Sequence, residues 1–457
     1  MFLSQMPIPD HQRLGHHVRR TVALAVPVML ARAGLVVMIT VDTVMVGRAG
    51  GEELAHYAIA FAPQMLLLSV GFGLLVGATV LTAQADGAGR QTLCGRIWRL
   101  AMLVAGVIGL LDLLLLAHGE WLLRLLGQGP AIAAAGGRVL LLWGVGMPGI
   151  MLFTATSGFL EGISRAKPGM VAMIVANFVN AGLNWIMIHG HWGLPAMGAE
   201  GAVLATSITR WLMFFALAAY ALSMRDHARF EVWAPLKGSF DQILPMLKLG
   251  APLAMAVAFE ASAFTAAATF AGWLGEVSLA AYQIALNFNA LIYMLALGLT
   301  TATAVRVANA HGRGDSIGVA RAGWVGAGLV FPAMAGATVI LTLAPHWVVG
   351  LYSEDPDVTA LALQLMAITA WLILADGAQG VLTGAVRGAS DTAVPTLIAG
   401  SSFWLLGVPL CYALAFGAGW GVVGLIWGLF ASLVAAMLML ALRFHYLTRR
   451  AILSASP

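Results

Sequence analysis

Six ionisable residues, Arg32, Asp42, Asp112, Arg210, Glu260 and Asp376, stand inside long apolar stretches of this chain. A charged side chain at membrane depth costs about 2.5–3.5 kcal/mol or more, so each one marks a candidate functional site. Asp42 lies beyond Pro27, a helix-kinking residue, and Asn177, Asn180 and Asn184 recur at spacings of three and four. That spacing puts three amides on one face of a helix. A carboxylate with amide and hydroxyl oxygens is a hard-ligand set suited to a proton or a small cation. The other use of such amides is to hydrogen-bond one membrane helix to another. Glu260 and Asp376 have no Lys or Arg near them in sequence. In an apolar cavity each can carry a proton, the alternative being a salt bridge to a distant Arg. Arg32 and Arg210 read as partners for carboxylates or for cytoplasmic-side structure rather than as substrate ligands. Asp112, toward the outer end of its stretch, is expected to reach the membrane interface.

The elements that hold these residues follow from composition. The 457 residues are 60% hydrophobic and only 10% charged, with a mean hydropathy of +0.90. A soluble domain runs at roughly 45–50% apolar and about 25% charged, which excludes a water-soluble enzyme with a single core. The sparse charges form no basic patch, so nucleic acid is not an expected partner. A membrane helix needs about 20 apolar residues. Hydropathy and breakers predict twelve spans, near 21–46, 55–84, 97–117, 133–159, 168–189 and 200–224, then 243–272, 278–306, 318–343, 358–386, 394–416 and 422–445. The fold class is therefore an all-α polytopic membrane protein. Of the 24 Lys and Arg residues, nineteen fall in the N-terminus, the even-numbered loops and the C-terminus, among them Arg13, Arg90, Arg165, Lys167, Lys237 and Arg449. The odd-numbered loops hold only Arg48, Arg124 and Arg138, alongside acids such as Glu354, Asp355 and Asp357. This bias places both termini in the cytoplasm. Trp98, Trp121, Trp192, Trp273 and Trp347 sit near span ends, where interfacial anchors are expected.

The polar stretch Arg225–Asp241 divides the chain into halves that match over a long reach without gaps at an offset of 225. Val26-Pro27 faces Ala251-Pro252, Tyr57 faces Tyr282, and AQADGAGR (83–90) faces ANAHGRGD (308–315). Six spans per half give both halves one orientation, with a pseudo-two-fold along the membrane normal and substrate sites between the halves. The expected organisation is an N-terminal tail (1–20), an N-lobe (21–224), a cytoplasmic linker (225–242), a C-lobe (243–446) and a tail (447–457). Enzyme signals are absent: GAGR and GRGD lack a P-loop lysine, and neither HExxH nor CxxC occurs. Cys94 and Cys411 give no metal spacing, and no cofactor is expected. The first span has no cleavable signal pattern before it.

Taken together, VDTVMVGRAG (41–50), ELAHYAIA (53–60), GISRAKP (162–168), NAGLNWIMIHG (180–190), GLPAMGAEGAVLAT (193–206), FEAS (259–262), AYQIALN (281–287) and ADGAQGVLTGAVRGASDT (375–392) resemble the multidrug and toxic compound extrusion (MATE) family, in its NorM-like branch. The resemblance covers essentially the whole length. It implies a two-lobed, twelve-helix exporter that expels cationic, lipophilic drugs in exchange for sodium ions or protons, resident as a monomer in a bacterial inner membrane. Carried over residue by residue, the N-lobe cation site is Asp42, Asn180, Asn184 and Thr206, and the C-lobe site is Glu260 and Asp376. Sodium-binding relatives place a Tyr four residues before the latter acid, where this chain has Leu372. The C-lobe acids are therefore expected to favour protons and cationic substrate, and any sodium dependence is expected from the N-lobe. A flippase for a lipid-linked precursor, from the same superfamily, is the second reading; a channel or a membrane-embedded enzyme is a distant third.

The charge bias yields a direct test. With Cys94 and Cys411 removed, single cysteines at Ser239 and Glu276 are expected to label from opposite sides of sealed cells. Labelling of both by an impermeant external reagent overturns the twelve-span layout.

Overall fold

The computed structural model describes residues 14–235, 240–353 and 355–455. Arg13, Lys237, Ser239 and Glu354, which enter the charge reading and its test, lie outside these, as does most of the N-terminal tail. Twelve helices are long and apolar enough to cross a membrane. They are α1 (Leu14–Ala49), α2 (Gly51–Gly87), α3 (Gln91–Ala117), α4 (Pro130–Gly162), α5 (Lys167–His189) and α6 (Gly198–Ser223), then α7 (Ile243–Trp273), α8 (Glu276–Gly312), α9 (Ser316–Leu343), α10 (Pro356–Gly388), α11 (Ala393–Gly417) and α12 (Gly421–Ala455). Each predicted span coincides with one of them to within a few residues, and several helices run longer. A chain that buries its backbone in hydrocarbon must satisfy every N–H and C=O internally, which long helices do.

The helix ends follow local chemistry. Prolines open α4 and α10, where a missing N–H costs nothing. Asp355 caps α10 by accepting hydrogen bonds from the Asp357 and Val358 amides, and Asp315 caps α9 through the Gly318 amide. Gly190, at φ 74°, ends α5 in the left-handed conformation. Helix α11 is broken into π-helical turns at Ser401–Gly407 and Ala413–Gly417.

Packing divides the chain into two compact units, but not at the polar linker. One unit is made of the described residues of Leu30–Ala254; the other joins the described residues up to Met29 with those from Met255 onward. Each boundary falls two residues past a proline, Pro27 or Pro252, and the two boundaries keep the repeat offset of 225. A proline removes one backbone hydrogen bond and relaxes the helix at that point, so the start of α1 and the start of α7 each pack with the opposite half. In the first unit α7 begins against α2. A Cβ added at Gly77 would collide with the Met246 carbonyl, and one at Gly250 with the Leu74 carbonyl. In the second unit Gly298 of α8 admits Met29 in the same way, and Arg306 donates to the His17 carbonyl and to Thr21 Oγ1. Small residues let membrane helices approach this closely.

Two expectations are corrected inside the first unit. Trp98 is no interfacial anchor: it is buried, stacked on Phe159 at 5.4 Å, with Nε1 donating to Thr156 Oγ1. Trp121, Trp192, Trp273 and Trp347 are exposed, as anchors require. Asp112 does not reach the surface either. Helix α3 lies tightly along α4, with Gly109 against Pro148, and Asp112 is buried with its Oδ2 unpartnered among the described residues.

Outside the spans, Arg165 forms a two-pronged ion pair with Asp226 at 2.6–2.8 Å, tying the α4–α5 turn to the end of α6. The hydrogen-bonded guanidinium holds the Asp226 carboxyl below the usual carboxylate range. Its contribution is complete above the unfolded value of about 3.9 and fades as pH falls toward the folded one. Both groups are about a third exposed, so that contribution is small.

The glycine crossings are testable. Gly77→Val and Gly250→Val are expected to cost about 1–3 kcal/mol by overpacking, read as a lower unfolding midpoint in detergent. Gly106→Val, where an added Cβ meets nothing within 4 Å, is expected to leave the midpoint unchanged. Equal midpoints for all three variants would contradict the crossing.

Candidate functional site

In the Leu30–Ala254 unit, three helices converge on one carboxylate. Asp42 comes from α1, Asn180 and Asn184 from α5, and Thr206 from α6. All four are buried, at 4% exposure or less. Asn184 Nδ2 donates to Asp42 Oδ1 at 2.6 Å, and Thr206 Oγ1 donates to Asp42 Oδ2 at 2.7 Å. Asn180 Nδ2 donates to Thr206 Oγ1 at 3.1 Å, and Asn184 Nδ2 also reaches Asn180 Oδ1 at 3.2 Å. The two asparagines are one helical turn apart, which is why both face α1. Asn177, on the adjoining turn, is not part of the network; its amide donates to the Met173 carbonyl of its own helix.

A cavity of about 20 Å³ adjoins Asp42, lined also by Tyr57, Gln64, Thr206 and Arg210. It has room for roughly one water molecule, so it suits a small ion and excludes a drug. Arg210 lies one turn beyond Thr206 on α6, is buried, and interacts electrostatically with Asp42. It forms no direct ion pair with Asp42 among the described residues; its hydrogen bond is to Met147 Sδ. A much larger groove, about 620 Å³, runs between α5 and α6 past Lys167 and Tyr220, and Asp42 does not line it.

In the other unit Glu260 of α7 and Asp376 of α10 lie close enough to interact electrostatically. Asp376 is buried and Glu260 half-buried. Neither forms an ion pair with Lys or Arg among the described residues, so a salt bridge does not explain them. Asn289 of α8 donates from Nδ2 to Asp376 Oδ2 at 3.0 Å. Tyr293, one turn further along α8, interacts with both acids and lies against Gly380, one turn past Asp376. Leu372, one turn before Asp376, is fully buried and supplies no oxygen. Asp376 Oδ1, Asn289 Oδ1 and Gln379 Oε1 are buried acceptors with no hydrogen-bond partner among the described residues. Acceptors of this kind can receive a proton or a small cation.

The MatE family model matches the chain twice, over residues 27–186 and 252–413, once in each half. The chain belongs to the MatE family. It is NorM-like within it. It is 37% identical over 447 residues to the "Probable multidrug resistance protein NorM" of Rhodopseudomonas palustris, covering 95% of this chain and 93% of that one. It is 33% identical over 430 residues to the protein of the same name from Caulobacter vibrioides, covering 93% and 91%. The fold is that of solved MATE structures. The eukaryotic MATE transporter AtDTX14 superposes with a TM-score of 0.86 at 20% identity, covering 96% of this chain and 98% of that one. A point mutant of another MATE protein superposes with a TM-score of 0.88 at 17% identity, covering 97% and 99%.

Three residues of this MatE chain escape a reading of its sequence. Asn289 and Tyr293 are uncharged, and only tertiary packing sets them beside Asp376. Glu161 is an acid just past the predicted end of its span; α4 continues to Gly162 and buries it. There Ser157 donates to it at 2.9 Å and Arg32 interacts with it electrostatically. Arg32 also sits 5.8 Å from the centre of the Phe72 ring, within cation–π range.

The Thr206 hydroxyl holds two hydrogen bonds of the Asp42 network. Thr206→Val keeps the shape and removes both, so a destabilisation of about 1–3 kcal/mol is expected in thermal unfolding. Thr206→Ser is expected to restore most of it. If Val behaves as wild type, the network is not holding the three helices together.

Proposed function

We propose that the protein is a secondary active multidrug efflux transporter of a bacterial cytoplasmic membrane, with both termini cytoplasmic. It exports cationic, lipophilic compounds in exchange for protons, sodium ions or both. The observation that carries this reading is the set of carboxylates inside the apolar spans, Asp42 in one unit and the half-buried Glu260 with buried Asp376 in the other, held among oxygen and amide groups. Charges so expensive to bury mark ion and substrate pathways. The relatives' printed names, which speak of multidrug resistance, support the substrate class. A lipid-linked precursor flippase is the less favoured alternative, because no basic residue pairs with Glu260 or Asp376 among the described residues.

In this reading Glu260 and Asp376 hold either protons or a cationic drug. An uptake of protons from the outer side displaces the drug, and loss of protons inside restores the acceptors. A carboxylate among apolar and aromatic side chains favours a cationic, lipophilic ligand. Transport further requires that the two access states differ in affinity, since equal affinity shifts no equilibrium. Asp42 is the ion-responsive group of the other unit.

Proteoliposomes with pH and sodium gradients imposed separately test the proposal. Asp42→Asn, Glu260→Gln and Asp376→Asn are each expected to insert normally and to lose gradient-driven drug efflux at least tenfold. Drug binding to wild type is expected to weaken at acid pH, and that dependence is expected to disappear in the two C-terminal variants. Wild-type efflux in all three variants would refute the assignment.

A further inference from the structure

The Asp42 network differs from the other acid pair in having its charge already answered. Both Asp42 oxygens accept hydrogen bonds, from Asn184 at 2.6 Å and Thr206 at 2.7 Å, and Asn180 Oδ1 accepts from Asn184. Sodium would need several of these oxygens at once to replace its hydration shell. Among the buried oxygens of this network, only Asn184 Oδ1 has no hydrogen-bond partner.

The second element is Arg210. Thr206 and Arg210 are four residues apart on α6, hence on one face, and both line the one-water cavity beside Asp42. The guanidinium is buried, at 6% exposure. Among the described residues its hydrogen bond is to Met147 Sδ at 3.6 Å, a weak acceptor shared with Gln64 Nε2 at 3.9 Å. An arginine stays charged, so this cation is permanent. Tyr57, which also lines the cavity, interacts electrostatically with both Asp42 and Arg210. No other Lys or Arg among the described residues lines this cavity.

We infer that Arg210 is a tethered counter-cation that keeps sodium out of the Asp42 network. A second positive ion in this cavity of about 20 Å³ would share it with the guanidinium-bearing side chain that lines it. Its repulsion there is little screened by solvent. Sodium is thereby disfavoured at the site where the sequence alone places it. Around Asp376 and Asn289 neither acid, Glu260 or Asp376, is ion-paired to Lys or Arg among the described residues, the buried Arg387 acting on Tyr293 instead, and any sodium dependence of the transporter is assigned there. This inference rests on Asp42 being the ion-responsive group of its unit, as proposed above.

The test is equilibrium binding of radioactive sodium to purified, detergent-solubilised full-length protein. Wild type and Asp42→Asn are expected to bind sodium identically. Arg210→Met, chosen because Met147 and Met213 already neighbour the site, is expected to gain a site at least about tenfold tighter. The double variant Arg210→Met/Asp42→Asn is expected to lose that site, and Arg210→Lys, which keeps the charge, not to acquire it. Sodium binding in wild type that Asp42→Asn abolishes would overturn the inference, as would a folded Arg210→Met that binds like wild type. Should Arg210→Met fail to fold, Arg210→Gln takes its place, with the same gain expected and the same wild-type binding overturning the inference. Loss of all gradient-driven efflux dependence on Asp42 would instead count against the antiport reading, and sodium binding separates the two.

Discussion

A carboxylate surrounded by hydrocarbon must be given hydrogen-bond donors, a counter-charge or a proton, and the Leu30–Ala254 unit is arranged around meeting that requirement at Asp42. The donors come from three helices. Asn184 and Asn180 fix the rotation of α5, Thr206 fixes that of α6, and Arg210 follows one turn along the same face. None of these side chains can be satisfied if its helix turns by a residue. In a solvent without hydrogen bonds the network sets register as a hydrophobic stripe would in water.

The second unit meets the same requirement differently. Asp376 has one donor, Asn289, and several acceptors around it stand open. Glu260 lies beside it with no basic partner among the described residues. One unit thus holds its acid in a filled network with an internal cation, while the other keeps two acids with capacity to spare. The duplicated halves share their helices and prolines while differing in how much charge they leave unanswered.

Much of this was legible in the residues. Hydropathy located all twelve helices because length and apolarity suffice to define a membrane span. Helical spacing put Asn180 beside Asn184, and Asp42 declared itself by its cost. What escaped depends on neighbours that periodicity does not record. Asn289 and Tyr293 are unremarkable within α8 until α10 is packed against them. Glu161 hid because apolarity fades before a helix ends. Trp98 and Asp112 were misplaced because distance along a span does not reveal which face meets another helix. The packing boundaries are a separate matter from the polar linker, which marks where the chain leaves the membrane; packing need not divide there.

Those boundaries at Met29 and Ala254 bear on how the chain can be divided. Each packing unit takes the first part of one helix from the other half, at positions related by the repeat. A cut at the polar linker would leave each buried cluster largely on its own fragment. It would place Met246 and Gly250 on a different chain from Leu74 and Gly77, and Met29 on a different chain from Gly298, so the two fragments would meet again through those crossings.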